Sequence, residues 1–557
     1  MPLTHLPKET LLQIISLLPS PKDIASLSIQ NHHLYSLCDM NTRKQFRRIR
    51  ITNNATDLSR AFTFLIRILK QPSLGHYVRH IEFYDPWIHH GISGYEPNVS
   101  ATLNEEYKDL IRAAIQTAGF PVEEIDRLVR IVAQVSLLRR RNPEERDWFR
   151  VTGPHAPREL LLAQTLTALI ISTAPNLHSL SLTQPYGTEN GMYWTETPLQ
   201  DNHNPIQYPL EWLLYQINNN YHFPPKPLSN LKHIYLTTSA SPTLWDENRF
   251  YFNLDLFGLM THFHHLPAIE FLTTDLYRTD IYGKRGFPIS TSNISTIKIN
   301  HSSIADPDLI RIICSCKHLR EFQYSIGGRA PDRDPTYTLS DYRRILQALL
   351  IHRNTLEMLD IDAGIPPEWS RGEFLHVSVS EEEEQNRALD DWEDEHEYLE
   401  NEPSCILPAW VWGINGSLAD FSALRKVALD VDFLLYMARG VGRDRDDGFR
   451  LGERVPLGLE TLVVRGYEVG MGGVYDFHVH GLKGGMREER EEREEGGAGL
   501  GLGLREVRGI EMGEMIVPAC HVEDPDRDGD LIWEREVEVW SEEEEEEGDG
   551  EGGLLGW

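Results

Sequence analysis

The chain has 557 residues and a formal charge of −31, from 54 basic and 85 acidic residues. Hydrophobic residues make up 40% of it, which allows a sizeable core and excludes a predominantly disordered chain. The negative charge disfavours nonspecific binding of nucleic acid, although runs of acidic residues supply much of it and leave room for a local basic patch.

The sequence contains no sign of export or membrane insertion. Its start, MPLTHLPKE, lacks a positive region followed by an apolar core, and no run approaches the roughly 18 apolar residues of a membrane-spanning helix. The five cysteines are odd in number and mostly scattered, which is typical of a reducing compartment without a disulfide framework. We therefore expect the protein in the cytoplasm, the nucleus or both, with no membrane partner.

The first strong pattern is LPKETLLQIISLLPSPKDIASL, residues 6–27, which predicts two successive helices. In the first helix, apolar side chains cover an arc of roughly 220°, whereas an ordinary surface helix needs a stripe of about 100°. They are Leu11, Leu12, Ile14, Ile15, Leu17 and Leu18. The second helix covers only one side of this arc. Since about 40 residues rarely form a core of their own, the surplus face must be met by the rest of the chain or by another protein.

These residues resemble those of an F-box, the short helical module of proteins that load substrates onto Skp–cullin–F-box (SCF) ubiquitin ligases. The matching positions lie within residues 3–48 and are Leu6, Pro7, Glu9, Leu11, Leu12, Ile14, Ile15, Leu18, Pro21, Asp23, Ile24 and Leu27. Two features depart from the family: Thr10 replaces an aliphatic residue, and QNHHLY, residues 30–35, replaces the usual pattern of the third helix.

The resemblance implies a three-helix module whose exposed apolar face binds a Skp-type adaptor and, through it, a cullin. Some apolar residues must instead form the module's own core, and the sequence does not sort them. The expected adaptor-binding residues are Leu6, Pro7, Leu11, Ile14, Ile15, Leu18 and Leu27. The alternative is a pair of helices that only caps its own domain.

A different rhythm begins near residue 158, where helical patterns alternate with short apolar segments that often have Leu-x-x-Leu-x-Leu spacing. The segments are NLHSLSL (176–182), NLKHIYL (230–236), LPAIEF (266–271), ISTIKI (294–299), HLREFQY (318–324), TLEMLDI (355–361), ALRKVAL (423–429) and LETLVV (459–464). Their number alone is no evidence, because such spacing arises often by chance, but several directly follow a helical pattern. Helix, tight turn and strand form the unit of a solenoid with parallel strands. The region resembles the irregular leucine-rich repeats common after F-boxes; another α/β arrangement is the alternative.

The expected fold class is α+β, with an N-terminal three-helix F-box followed by an irregular α/β leucine-rich-repeat-like solenoid with parallel strands. Domain boundaries follow the changes of pattern and composition. We expect an F-box (1–50), a helical linker with the first strand (51–157), a leucine-rich-repeat-like region (158–379), an acidic loop (380–403), the repeat-like region continued (404–482), a low-complexity linker (483–503), terminal strands (504–540) and an acidic disordered tail (541–557).

No catalytic motif emerges, so we expect no enzyme activity, no cofactor and no metal. GAGLGLGLRE (497–506) lacks the order of a phosphate-binding glycine loop. DPDRDGD (524–530) begins like an EF-hand loop, but places Arg535 where that loop needs Glu. The segments CSCKH (314–318), HFHH (262–265) and HVH (478–480) lack the partner ligands of a tetrahedral site.

The expected function is therefore that of a noncatalytic, substrate-recruiting subunit of an SCF-type ubiquitin ligase. The repeat region would bind an unknown protein substrate, and the rate would rise through proximity. The altered QNHHLY stretch motivates a second hypothesis, a non-ligase repeat scaffold that uses the module only for adaptor binding or fold stability. An enzyme is a third class, to which no motif points.

Overall fold

The computed structural model describes residues 6–18, 21–84, 101–138, 156–183, 208–219, 227–237, 252–275, 277–279, 288–300, 302, 304–326, 342–363, 407–444, 446, 448–494, 504–512 and 515–516. The chain forms two compact units. The first comprises Met1–Ser181 and Pro198–Leu231, and the second comprises Leu182–Thr197 and Lys232–Trp557. Among the described helices, none is long and apolar enough to cross a membrane.

The first unit is mainly helical, with three short strands. Its elements in chain order are α1 (Lys8–Leu17), α2 (Pro21–Ser28), α3 (His32–Leu37), α4 (Met40–Arg47), β1 (Arg48–Thr52), α5 (Ala55–Lys70), β2 (His80–Tyr84), α6 (Glu105–Thr117), α7 (Val122–Ala133), α8 (Ala156–Thr173), β3 (Ser179–Leu182) and α9 (Pro209–Asn219). The strands lie in the order β1-β2-β3, and β1 and β2 are parallel.

Amphipathic and fully apolar helices build the core of this unit. Asn54 caps α5 by accepting a hydrogen bond from the backbone N–H of Asp57 at 2.7 Å. From that start, α5 buries one face, which includes Leu58 and Leu65. Helix α8 has apolar residues on every side, and it is correspondingly buried along most of its length. It packs against α5, α7 and α9.

The second unit is built on parallel strands. Its elements are β4 (His233–Leu236), β5 (Phe252–Leu254), α10 (Leu256–Met260), β6 (Phe271–Asp275), β7 (Tyr277–Thr279), β8 (Thr296–Asn300), α11 (Asp306–Ser315), β9 (Glu321–Ser325), α12 (Tyr342–Leu350), β10 (Met358–Asp362), α13 (Ala409–Trp412), β11 (Lys426–Asp430), α14 (Val431–Arg439), α15 (Leu451–Arg454), β12 (Thr461–Arg465), α16 (Gly473–Glu494) and β13 (Glu506–Arg508). The main sheet has the order β4-β6-β8-β9-β10-β11-β12-β13, and β5 pairs with β7 separately.

Each of the eight predicted Leu-x-x-Leu-x-Leu segments leads into a strand; the first leads into β3, and the other seven lead into parallel strands of the second unit. The register aligns equivalent positions, so that Leu359 of β10 lies opposite both Phe322 of β9 and Val427 of β11. In seven of the eight segments the three residues at the Leu positions of this spacing are buried together. The expectation of an α+β fold with parallel strands is therefore confirmed.

One of the eight segments is shifted along its strand, so its inward positions are filled by other residues than the Leu-x-x-Leu-x-Leu spacing indicates. We call the set of inward residues the frame of the strand. LPAIEF places Leu266, Ile269 and Phe271 at the three Leu positions of the spacing. The pairing of Ile234 with Leu272 instead places Leu272 inward, whereas Phe271 is only half-buried. The observed set is Ile269, Leu272 and Thr274, because Thr274 pairs with Leu236. Its last member is not apolar, so the spacing alone selects LPAIEF and misses the observed set.

Three further features differ from the expectation. The structure has four N-terminal helices where three were expected, because Asp39 takes a left-handed conformation (φ 51°) between α3 and α4. Strand β1 (Arg48–Thr52) begins within the expected F-box region (1–50), and α16 covers residues 483–494, which were expected to be linker. The acidic loop (380–403) and tail (541–557) lie outside the described residues, as do the terminal strands beyond residue 516.

Candidate partner-binding surface

The N-terminal helices of the first unit bury one side of α1. Helix α1 begins at Pro7, whose carbonyl accepts the backbone N–H of Leu11 at 3.1 Å. Leu11 and Ile15, one turn apart, are 1% and 3% exposed, and they lie on the side of α1 that packs against α3. Leu34 of α3 is buried as well. Two of the seven expected adaptor-binding residues therefore belong to the core of these helices.

A second side of α1 stays open within the described residues. Ile14 and Leu17 are spaced by three residues, so they are neighbours on the helix surface, and Leu18 follows them directly as the extended residue that ends the helix. Leu17 is 74% exposed, and Ile14 and Leu18 are half-buried. We call these three residues the α1 ridge. A helix with a buried side and an adjoining exposed apolar ridge matches the wide apolar arc of the sequence.

The remaining expected residues lie near this ridge in sequence or on the next helix. Pro7 is exposed, whereas Leu6 and Leu27 are half-buried. Leu17 was absent from the expected set, although it lies within the apolar arc. Only the position of the buried side, which Leu11 and Ile15 define, identifies Leu17 as the most exposed member of that arc.

The QNHHLY stretch forms a helix start. Asn31 is extended, and its side-chain oxygen accepts the backbone N–H of Leu34 at 2.8 Å, which caps α3. Tyr35 is exposed, and its hydroxyl donates to the side-chain oxygen of Asn41 at 2.9 Å. At the other end of α3, the Nε of Arg43 donates to the carbonyl of Cys38 at 2.6 Å. The departure from the family pattern thus supplies the cap of this helix.

Several of the candidate metal ligands are packed into the core or hydrogen-bonded to backbone, whereas His318 and His480 are exposed. Cys314 and Cys316 are buried at the end of α11, and burial raises the pKa of the Cys316 thiol to about 12. Nδ1 of His264 lies 2.9 Å from the carbonyl of Met260. His478 stacks on Phe449 at 4.3 Å, and burial lowers its pKa. No group of three or more potential ligands that could hold a metal ion occurs within the described ranges.

The other two candidate motifs lie largely outside those ranges. Residues 524–530, the EF-hand-like run, are not described. Residues 497–503 of the glycine-rich run are not described either, and residues 504–506 lead into β13. The expectation that neither run is a phosphate-binding or calcium-binding loop therefore remains a prediction from the sequence.

A polar cluster lies at the carboxyl ends of β10, β11 and β12 in the second unit. Arg465 bonds Asp360 through Nη2 at 2.8 Å and Asp362 through Nε at 3.3 Å. Asp430 accepts the backbone N–H of Ala363 at 3.0 Å. Burial and the charge of Asp362 raise the pKa of Asp430 well above its usual range. Arg465 thus pairs with two carboxylates, and the third carboxyl group, that of Asp430, is shifted toward its neutral form.

Comparison with known proteins adds no relative. The chain matches no protein-family model and no curated protein. A functional assignment therefore depends on the residues and geometry of this chain.

Proposed function

We propose that the protein is a substrate-recruiting F-box subunit of an SCF-type ubiquitin ligase. The α1 ridge carries the proposal, because an apolar ridge beside a buried helix side is the surface that an adaptor of this class would cover. Leu17 alone, if fully buried by a partner, would contribute about 2 kcal/mol. Single exposed apolar residues are common on protein surfaces. Ile14, Leu17 and Leu18 differ from these because they are contiguous.

The second unit supports the other half of the proposal. Its parallel strands and the helices between them resemble an irregular leucine-rich repeat, an architecture that offers one long surface to a protein target. In this proposal the N-terminal helices hold a Skp-type adaptor, and through it a cullin, while the second unit holds the target. Tethering raises the effective concentration of target lysines near the conjugating enzyme, so no residue of this chain performs chemistry.

The test is co-purification of the adaptor with the full chain. Leu17→Ser should weaken adaptor binding roughly 30-fold, from the loss of about 2 kcal/mol of apolar burial. Leu457→Ser is the matched control, because Leu457 is 70% exposed and lies in the second unit. Equal adaptor retention by both variants would refute the ridge as the docking surface.

The same purification separates the ligase from the scaffold. A cullin blot on the eluate should be positive for the intact chain and negative for Leu17→Ser. Adaptor without cullin would favour the non-ligase scaffold instead. These point variants are sharper than deletion of residues 1–50, because that deletion would remove Phe46 and Ile49, which are buried in the core of the first unit.

A further inference from the structure

A row of residues directly precedes the strands of the first unit. The backbone N–H of Arg79 donates to the carbonyl of Arg47 at 2.9 Å, and that of His178 donates to the carbonyl of Arg79 at 2.8 Å. Arg47, Arg79 and His178 therefore occupy equivalent positions. Neighbouring strands lie about 4.8 Å apart, so these residues follow one another at that interval.

The second unit has the same kind of row, and its charges alternate. The residues are Lys232, Glu270, Ser295, Arg320, Glu357, Arg425, Glu460 and Arg505, and each carbonyl before the last accepts two backbone N–H groups of the next segment. Lys232 approaches Glu270 at 3.8 Å, Arg320 contacts Glu357 at 2.9 Å, and Arg505 approaches Glu460 at 3.5 Å. In this unit each cation of the row has a carboxylate beside it or one position away.

The row of the first unit lacks that compensation. Burial and the nearby positive charges of Arg43 and Arg47 lower the pKa of Arg79. The nearest acid of the strands, Glu82, is engaged by Arg48 at 3.0 Å and by Arg50 at 3.7 Å. Within the described part of the chain, no carboxylate forms an ion pair with Arg43, Arg47 or Arg79. Like charges are thus held together in a protein whose total charge is −31.

Two of these guanidinium groups are already oriented. Nη1 of Arg79 donates to the carbonyl of Asn176 at 3.2 Å. The guanidinium of Arg43 lies 4.3 Å from the centroid of the Tyr77 ring, and its Nε donates to the carbonyl of Cys38. Arg47 lies in the last turn of α4, where the helix dipole favours a cation, and it is exposed. Orientation before binding lowers the entropy cost of holding an anion.

We propose that Arg43, Arg47 and Arg79 form a binding site for an acidic peptide segment of a partner protein. Arg47 and Arg79 lie one strand apart in the row, and Arg43 of α4 adds a third positive charge near Arg79. Cations spread over several ångströms match successive carboxylates of a peptide better than they match one small anion. Nucleic acid is the less favourable ligand, since a strand carries charge along its whole length and meets the negative charge of the rest of the chain, whereas a peptide needs carboxylates only beside the three arginines. The site is independent of the α1 ridge, so it stands whether or not the chain binds an adaptor.

The test measures fluorescence anisotropy of a labelled octaglutamate peptide with the full chain in about 50 mM salt, where screening is weak. Arg47→Gln should weaken binding roughly two- to fivefold, as loss of one exposed ion pair, and adding Arg79→Gln should bring the loss to about tenfold. Arg47→Lys should retain most of the affinity. The matched control is Arg320→Gln, which removes a cation at the equivalent position of the second unit, where Glu357 pairs with it.

Several outcomes would overturn the proposal. They are unchanged affinity in Arg47→Gln with a native melting curve, an equal loss in Arg320→Gln, and equally tight binding of octathymidylate or inorganic phosphate. A chain ending at residue 540 addresses the acidic residues of 541–557. If only that shortened chain binds the peptide, the occupant is the protein's own acidic segment, and a ligand from a partner is refuted.

Discussion

Strand β6 gives a prediction that distinguishes the inward residues seen in the structure from those that the sequence spacing indicates. Leu272 is 1% exposed and pairs in register with Ile234, whereas Phe271 is half-buried and stacks on His233 at 4.2 Å. Leu272→Ala should therefore cost about 2 to 5 kcal/mol, from lost apolar transfer and the cavity that is left. Phe271→Ala should cost less, about 1 to 3 kcal/mol, from the ring pair and the part of the burial that is lost.

The assay is urea unfolding of the full chain, followed by circular dichroism. Because the chain has two compact units, it is fitted with two transitions, and only that of the second unit should move. Phe271→Leu serves as the control that keeps an apolar side chain at the same position. If Phe271→Ala costs as much as Leu272→Ala or more, the inward frame assigned here is wrong.

Three further predictions follow from polar contacts. Asp430→Asn should raise the melting temperature at pH 7, because the raised pKa of Asp430 makes the wild-type protein most stable when this carboxyl is protonated. The gain in melting temperature should vanish as the pH falls toward 4. A gain that is independent of pH would contradict this explanation. Glu357→Lys, beside Arg320, should cost about 0.5 to 1 kcal/mol at low salt, and a cost that persists in 1 M salt would exclude a charge effect. Asn31→Ala should cost about 1 kcal/mol through loss of the α3 cap, whereas Asn31→Asp, which keeps an acceptor for Leu34, should cost little; equal losses in thermal melts would argue against capping.

Much of the strand arrangement could be predicted because its signal is local. In a segment such as TLEMLDI, Leu356, Leu359 and Ile361 point inward at fixed spacing, and all three are buried. At LPAIEF the spacing selects Leu266, Ile269 and Phe271, whereas the paired strand uses Ile269, Leu272 and Thr274, the last of which is not apolar. The neighbour's register, which sequence spacing does not contain, decides between them.

Strand β1 was missed for a different reason. Its five residues, RIRIT, follow a basic helical stretch, and only Ile49 and Ile51 alternate as a strand pattern requires. Pairing with β2, about thirty residues further on, stabilises the extended form. Short strands depend on such tertiary partners, so local preference predicts them poorly.

The two candidate binding surfaces also differ in how far the sequence predicts them. The apolar arc of α1 was predictable from helical periodicity, but its division into a buried side and an exposed ridge depends on where α3 packs. The row of Arg47 and Arg79 could not be predicted at all, because those residues become neighbours only when β1 and β2 pair. Periodicity within one element is visible in a sequence, whereas adjacency between elements is not.

The strand order of the second unit has a consequence for how this chain can change over evolution. Strands that are neighbours in its main sheet follow one another along the chain. This holds even for β10 and β11, which are separated by a long stretch of sequence. The entropy cost of closing such a connection grows only with the logarithm of its length, about 0.6 kcal/mol per doubling. Connections between strands can therefore acquire or lose tens of residues while the ladder of hydrogen bonds is kept, so new specificities can arise without a new scaffold.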